Sequence, residues 1–302
     1  MLAAALLAGS AGCAQPEEFS SELQAPEAGS RTRGDVELPD GRRVAVYSTD
    51  GRTYVEQHYH PARRGWTAPE VLFDAQTRCG GPVDLVARGG SVAGHVSCPS
   101  RASDPALGYA VASGNLRGWD VAGVGDIAGT NALSANGRHA VYWQRTGGGG
   151  YDVYRWQQGT GFDHLTMDPP APDPAAALDV VQTGRTFPES PMPFGTAWFA
   201  DNDGGIVSVD VRAWEGGTAD DPALDECWVE VFTAEPGGDS FRREFAGRVD
   251  VLDYCGANTV RRTATGGFRV HVTQVPENRS RDYELVRHGD EWAMVPAVDG
   301  GG

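Results

Sequence analysis

The sequence predicts an all-β fold of short antiparallel strands. Three observations predict it. Gly is abundant at 41 and Pro moderate at 19, the balance of many strands joined by tight turns. Apolar and polar residues alternate with period two in Ile206-Val207-Ser208-Val209-Asp210-Val211 and in Phe268-Arg269-Val270-His271-Val272, as half-buried strands require. Asp-Gly and Asn-Gly pairs stand between such runs, a strong short-range hairpin signal.

The first element along the chain is an address. Leu2 to Ala8 form a short apolar run, followed at once by Gly9-Ser10-Ala11-Gly12-Cys13. This resembles a bacterial lipoprotein signal, in which small residues precede the cysteine that receives diacylglycerol. The resemblance implies a signal peptide over 1–12, with Cys13 as the lipidated first residue of the mature chain. Ser10 stands where that family most often has Leu, and no Arg precedes Arg31, so the true start is expected upstream of Met1. Residues 13–34 are polar, rich in Pro and Glu and aperiodic, a composition that buries too little to order itself and suits a tether. No later stretch approaches the apolar length of a spanning helix. The expected location is the outer face of the bacterial cell membrane, held by lipid.

The folded part is expected over 35–295, with a flexible tail at 296–302. Val44-Ala45-Val46-Tyr47 follows the turn Pro39-Asp40-Gly41, and Thr53 to Tyr59 follows Asp50-Gly51. Asp84 to Ala87 and Val92 to Val96 flank Gly89-Gly90, and His139 to Trp143 follows Asn136-Gly137. Trp66, Trp119, Trp156 and Trp214 recur at gaps of 53, 37 and 58 residues, near the period of a four-stranded propeller blade. The expectation is a β-propeller of about six antiparallel four-stranded blades. The alternative is a β-sandwich or two small β domains, divided at the Pro-rich stretch from Asp168 to Pro174.

Leu38-Pro39-Asp40-Gly41-Arg42-Arg43-Val44-Ala45-Val46-Tyr47 resembles the repeat of TolB-like β-propellers, in which Pro-Asp-Gly and a basic residue turn into an apolar strand. Ser134 to Trp143 is a second, poorer copy, and Ser48 to Tyr54 a third fragment. The third is also similar to the Asp-box of sialidase-like propellers, although its Gly follows the Asp directly.

Besides Cys13, four cysteines remain: Cys79, Cys98, Cys227 and Cys255. An even number in an exported chain reads as two disulfides. Of three connectivities, Cys79–Cys98 and Cys227–Cys255 are favoured because each pair is close in sequence. A four-thiolate metal site would show a closely spaced Cys pair, which is missing.

Acidic residues number 41 against 25 basic ones, all of them Arg, for a net charge of −16. That excludes a nucleic-acid partner, which needs a basic stripe. Several weaker candidates for chemistry remain. Glu56, His58 and His60 share one strand face and have the donor types of a metal site. Asp201-Asn202-Asp203-Gly204-Gly205 has the oxygen density of a calcium loop, with Asp201 and Asp203 as ligands, but Arg212 stands where the full pattern needs Glu; the other reading is a hairpin turn. Asp220, Asp221, Asp225 and Glu226 form an acidic loop, and Arg42, Arg43, Arg52, Arg63 and Arg64 a basic group suited to an anionic glycan or phosphate.

No Gly-x-Ser-x-Gly, phosphate loop or dinucleotide fingerprint occurs in the mature chain. No cofactor is expected beyond that calcium candidate. The expected function is non-enzymatic: a binding or scaffold domain for a protein, peptide or glycan of the cell envelope. The alternative is a glycan-acting enzyme, sialidase-like or another glycosidase, which would bring two carboxylates, or a Tyr/Glu pair beside several Arg, into one funnel.

Overall fold

The structure is a computed structural model that describes residues 18–23, 33–98, 107–125, 132–146, 150–168, 192–215, 225–249, 259–274, 279–289 and 291–297. These residues form five antiparallel sheets. The first contains β1 (Phe19–Ser20), β2 (Arg33–Glu37), β3 (Arg43–Ser48), β4 (Thr53–His60), β5 (Gly65–Thr67) and β6 (Glu70–Asp74). The second contains β7 (Val83–Arg88), β8 (Ser91–Cys98), β9 (Leu107–Ser113) and β10 (Asp120–Val124), and the third β11 (Ala132–Leu133), β12 (His139–Arg145), β13 (Tyr151–Gln157) and β14 (Gly161–Met167). The fourth contains β15 (Met192–Ala200), β16 (Ile206–Glu215), β17 (Asp225–Ala234) and β18 (Arg242–Val249), and the fifth β19 (Thr259–Arg262), β20 (Phe268–Gln274), β21 (Arg279–His288) and β22 (Glu291–Pro296).

Sheets two to five are simple meanders in chain order. The first strands of successive sheets touch, β2 to β7, β7 to β11, β11 to β15 and β15 to β19. A common space is lined by the ends of β7, β11, β15 and β19. Sheets arranged face to face with their first strands innermost around an axis are the blades of a β-propeller.

The core lies between blades. Val44, Val46 and Tyr54 of blade 1 pack with Val83, Val92 and Val96 of blade 2. Ala110 and Val124 of blade 2 pack with Ala140, Tyr142 and Trp156 of blade 3. Tyr151 and Val153 meet Trp198, Ile206 and Phe232 between blades 3 and 4, and Val209 and Val231 meet Phe268 and Leu285 between blades 4 and 5. A blade flanked on both sides buries both of its faces. Ile206 to Val211 was expected to be half-buried, but Ser208 and Asp210 are as fully enclosed as Val209 between them.

About six blades were expected, and the described residues form five. The first sheet takes six strands, and the strands of blade 4 reach ten residues in β16 and β17.

One turn recurs between the first and second strands of four blades. In blade 1 Leu38 N–H donates to Arg42 O and Gly41 N–H to Leu38 O. The same pair of bonds closes Ser134–His139 with Gly137, Asp201–Gly205 with Gly204, and Thr263–Gly267 with Gly266. Each fourth residue is a glycine at positive φ: 81°, 72°, 96° and 85°. Of the three segments that resemble TolB-like repeats, the first two are therefore at equivalent positions of blades 1 and 3, whereas Ser48–Tyr54 joins β3 to β4; blades 4 and 5 carry two further copies of the turn without the Pro or the basic residue.

The amino-terminal boundary differs from expectation. Phe19 and Ser20 lie inside the expected 13–34 tether, yet they pair with Thr67 and Trp66 as an added strand. Cys13 lies outside the described residues, as do residues 298–302 of the expected tail. At the other end β22 runs one residue past the expected boundary to Pro296. The Cys79–Cys98 disulfide is formed, and it ties the segment after β6 to the end of β8. Cys227 is disulfide-bonded and buried; its expected partner Cys255 lies outside the described residues.

Candidate functional site

The cleft between blades 2 and 3 is built from the sharp turn that joins β9 to β10. Ser113 organises this turn. Its Oγ accepts Leu116 N–H at 2.9 Å and donates to Gly118 O at 2.6 Å. Asn115 Oδ1 accepts Arg117 N–H at 2.9 Å. Leu116 sits at φ +67°, a conformation that costs a branched side chain energy unless the surroundings fix it. Here they do: its side chain is buried in the core of blades 1 and 2. Driving Leu116 inward turns Asn115 and Arg117 outward, and both are exposed.

Opposite stands blade 3. Trp156 Nε1–H donates to Asp120 Oδ2 at 2.7 Å, joining strands 36 residues apart. Gln158 packs against Gly114, within 2.5 Å of where a Cβ would stand. The walls are completed by Trp119, half-buried, whose Nε1 has no partner, and by Gly118 and Gly159, where an added Cβ would meet nothing. The space is about 400 Å³. Two indoles, a guanidinium, two carboxamides and one carboxylate thus line one volume. Planar donors and acceptors beside an aromatic surface suit a ligand that carries hydroxyls on an apolar ring.

A second space, of about 470 Å³, lies on the axis. Val86 to Arg88 end β7, Leu133 ends β11, Phe199 and Ala200 end β15 and Arg262 ends β19. Each lining residue falls in the last three positions of its strand, so the space is one mouth of the axial channel.

The Tyr/Glu/Arg convergence expected of a glycan-acting enzyme does occur, but without access. Arg212 donates to Asp210 at 2.6 Å and lies 3.1 Å from Glu230, while Arg243 reaches Glu230 at 3.2 Å. Thr196 and Ser208 donate to Asp210, the latter at 2.6 Å. The Arg212 guanidinium lies between the rings of Phe232 and Tyr151, 5.2 and 6.0 Å from their centroids. Asp210 and Arg212 have no exposed side-chain surface. Burial pushes the Glu230 carboxyl up, and Arg212 and Arg243 hold it back. A group sealed between blades positions them and touches no substrate.

The other sequence candidates resolve as follows. Asp201 pairs with Arg262, and Asp203 Oδ1 accepts Gly205 N–H at 3.1 Å. These two aspartates belong to the blade 4 copy of the recurrent turn, the hairpin reading of that segment. Glu56 and His58 are both buried, with His58 Nδ1 hydrogen-bonded to Glu56 Oε1 at 2.8 Å. The Phe19 ring stands edge-on to His58 and His60 at 5.7 and 5.6 Å, so the shared face is as expected but is covered by β1. Among the described residues no three such side chains are placed to hold a metal ion. In the first-blade arginine group, Arg42 pairs with Asp40 at 2.7 Å and Arg43 stacks over Tyr59 and Trp66. Asp220 and Asp221 lie outside the described residues, as do the side chains of Asp225 and Glu226.

The cleft residues Asn115, Arg117, Asp120 and Gln158 were not singled out in the sequence. The available signal was Gly114-Asn115-Leu116-Arg117-Gly118, a turn with a bulky apolar residue at its centre.

No protein-family model matches the chain, and no curated protein matches it in sequence. Three solved structures illustrate the likeness in shape. YjhT is 8% identical with a TM-score of 0.41, over 87% of this chain and 83% of that one. A protein of unknown function from Dyadobacter fermentans is 10% identical with a TM-score of 0.38, over 91% and 85%. A thermostable family-43 glycoside hydrolase is 10% identical with a TM-score of 0.38, over 89% and 93%. Likenesses this distant carry no argument about chemistry, and the fold rests on the chain's own strand pairing and interblade cores.

Proposed function

We propose that this chain is an exported, lipid-anchored protein of the bacterial cell envelope, held at Cys13, whose β domain binds a glycan without cleaving it. The binding site is the cleft between blades 2 and 3. The observation that carries the reading is the composition of that cleft. Trp119 supplies an aromatic surface, and Asn115, Arg117 and Gln158 supply hydrogen bonds beside the single carboxylate of Asp120. Glycoside hydrolysis ordinarily needs a pair of carboxyl groups about the scissile bond. The one carboxylate here is engaged by Trp156.

The test is titration with chitotriose, cellotriose, maltotriose and arabinotriose, followed by tryptophan fluorescence, with chromatography of each sugar afterwards. The expected result is saturable quenching by at least one trisaccharide that is recovered intact, and no quenching in Trp119→Ala. Cleavage that disappears in Asp120→Asn would instead establish an enzyme. No saturation by any of the four would refute the glycan reading. Intact mass of protein from a bacterial host tests the anchor separately, by a diacylglyceryl group on Cys13.

A further inference from the structure

The axial mouth has a chemistry of its own. Its charged lining groups are two guanidiniums, Arg88 and Arg262, in a chain of net charge −16. They come from blades 2 and 5, at the last positions of their first strands, where the propeller geometry aims both toward one axis. Glu37, which ends β2 of blade 1, is not among the lining residues. Leu133 and Phe199 supply apolar wall.

Neither arginine is used up. Arg88 NH1 donates to Leu133 O at 3.2 Å, and Arg262 donates to Asp201. Each guanidinium has five N–H donors, so most remain for a ligand. Arg262 is further held over the rings of Phe199 and Phe268, 5.8 and 5.9 Å from their centroids. The backbone that carries Arg88 is held from behind, because its carbonyl and Gly89 lie against the Asn136–Gly137 turn of blade 3. Two solvent-reachable guanidiniums beside an apolar wall match a planar or tetrahedral oxyanion on a ligand with some apolar bulk.

We propose that the axial mouth is a second binding site, separate from the interblade cleft, which takes the anionic group of a small ligand between Arg88 and Arg262. The group is a carboxylate or a phosphate. Asp201 is an internal competitor that occupies Arg262 when the ligand is absent. This inference does not depend on the glycan reading, since the two sites share no residue.

The experiment is calorimetric titration of the intact domain with succinate and, separately, with inorganic phosphate, at constant ionic strength. The expected result is saturable binding of at least one anion, and the one that binds distinguishes the two chemistries. Arg88→Gln should weaken it about tenfold to a hundredfold, as expected for losing a charge-assisted hydrogen bond. Asp201→Asn should tighten it, because Arg262 is then released to the ligand. A purely structural Asp201–Arg262 pair would leave affinity unchanged or lower it. The proposal is overturned if neither anion saturates the wild-type protein, or if Asp201→Asn binds no more tightly. The second variant decides even where Arg88→Gln fails to fold.

Discussion

Arg212 reaches Asp210 at 2.6 Å from two positions along the same strand, with neither side chain touching solvent. Adjacent same-face residues of β16 thus carry opposite charges into the space between blades 3 and 4. Glu230, directly opposite Asp210 in the β16–β17 register, is the second acid, and Arg243 the second base. The four formal charges balance. Removing one partner strands a buried charge, which typically costs about 3–5 kcal/mol. Arg212→Leu should therefore lower the unfolding free energy from urea titration by that order, and Arg243→Leu, whose side chain is partly exposed, should lower it less. Equal losses would mean that the network is not organised around Arg212.

The strained turn at the cleft makes a different claim. Leu116 holds Asn115 and Arg117 outward by packing inward. Leu116→Ala should cost about 2–5 kcal/mol, as other buried leucine truncations do, and should also weaken saccharide quenching. Trp119→Ala should abolish quenching outright, where Leu116→Ala only weakens it, although it too loses stability because Trp119 packs against the core of blades 1 and 2. Measuring both quantities on both variants separates support of the cleft from contact with the ligand.

Gly137 is fixed by two constraints. Its φ is +72°, and an added Cβ would stand 2.2 Å from Arg88 O. Gly159 has the first constraint at φ +84° but nothing within 4 Å. Strain of this kind costs on the order of 1–3 kcal/mol. Gly159→Ala should show about that loss in thermal unfolding, and Gly137→Ala clearly more, because the blade 2 and blade 3 turns must also separate. If the two losses match, the close approach of the turns contributes nothing.

These residues show what was readable in the sequence. Pro39-Asp40-Gly41 and Asn136-Gly137 were visible as hairpins, because Gly at positive φ is a local requirement, and they do mark equivalent positions of blades 1 and 3. The turn at Gly204 was legible as a hairpin but not as a copy of this repeat, and the one at Gly266 was not legible. Only the glycine is common to all four turns, since the other side chains face different neighbours. The tryptophan spacing led to the propeller without marking equivalent positions: Trp66 lies in β5, Trp119 precedes β10, Trp156 lies in β13 and Trp214 in β16. The Cys79–Cys98 pairing was legible from proximity. The cleft was not, because Asp120 and Trp156 meet only when blades 2 and 3 stack. The buried charges of β16 were not legible either, since alternation reads as one wet face until blades cover both.

The Cys79–Cys98 bridge closes a loop with a sequence separation of 19. Loops of this size are worth about 3 kcal/mol in the chain-entropy model. Tyr54 Oη donates to Cys79 O at 3.1 Å, and burial followed by the nearby Asp50 pushes its hydroxyl up to about 12. Cys98→Ala should therefore lower the unfolding free energy by about 3 kcal/mol, and Tyr54→Phe by less, about 1 kcal/mol for one hydrogen bond. Denaturant titration of the oxidised protein and both variants measures each.

His139 gives the domain a pH response. Burial depresses its ring below the ordinary histidine value, and Arg138 adds to this while Asp203 opposes it. Arg155 also lowers it, and the ring lies against Gly204 in the blade 4 turn. The unfolded chain keeps the ordinary value near about 6.5, so it binds more protons than the folded domain just below that pH. Stability then rises with pH through this window. The contribution is complete above about 6.5 and is lost as pH falls through the depressed folded value. The urea midpoint of the wild-type protein should drop on acidification from pH about 7 to about 5, and His139→Gln should flatten that drop. An unchanged slope in the variant would assign the pH response to other groups and leave His139 as a packing residue between two turns.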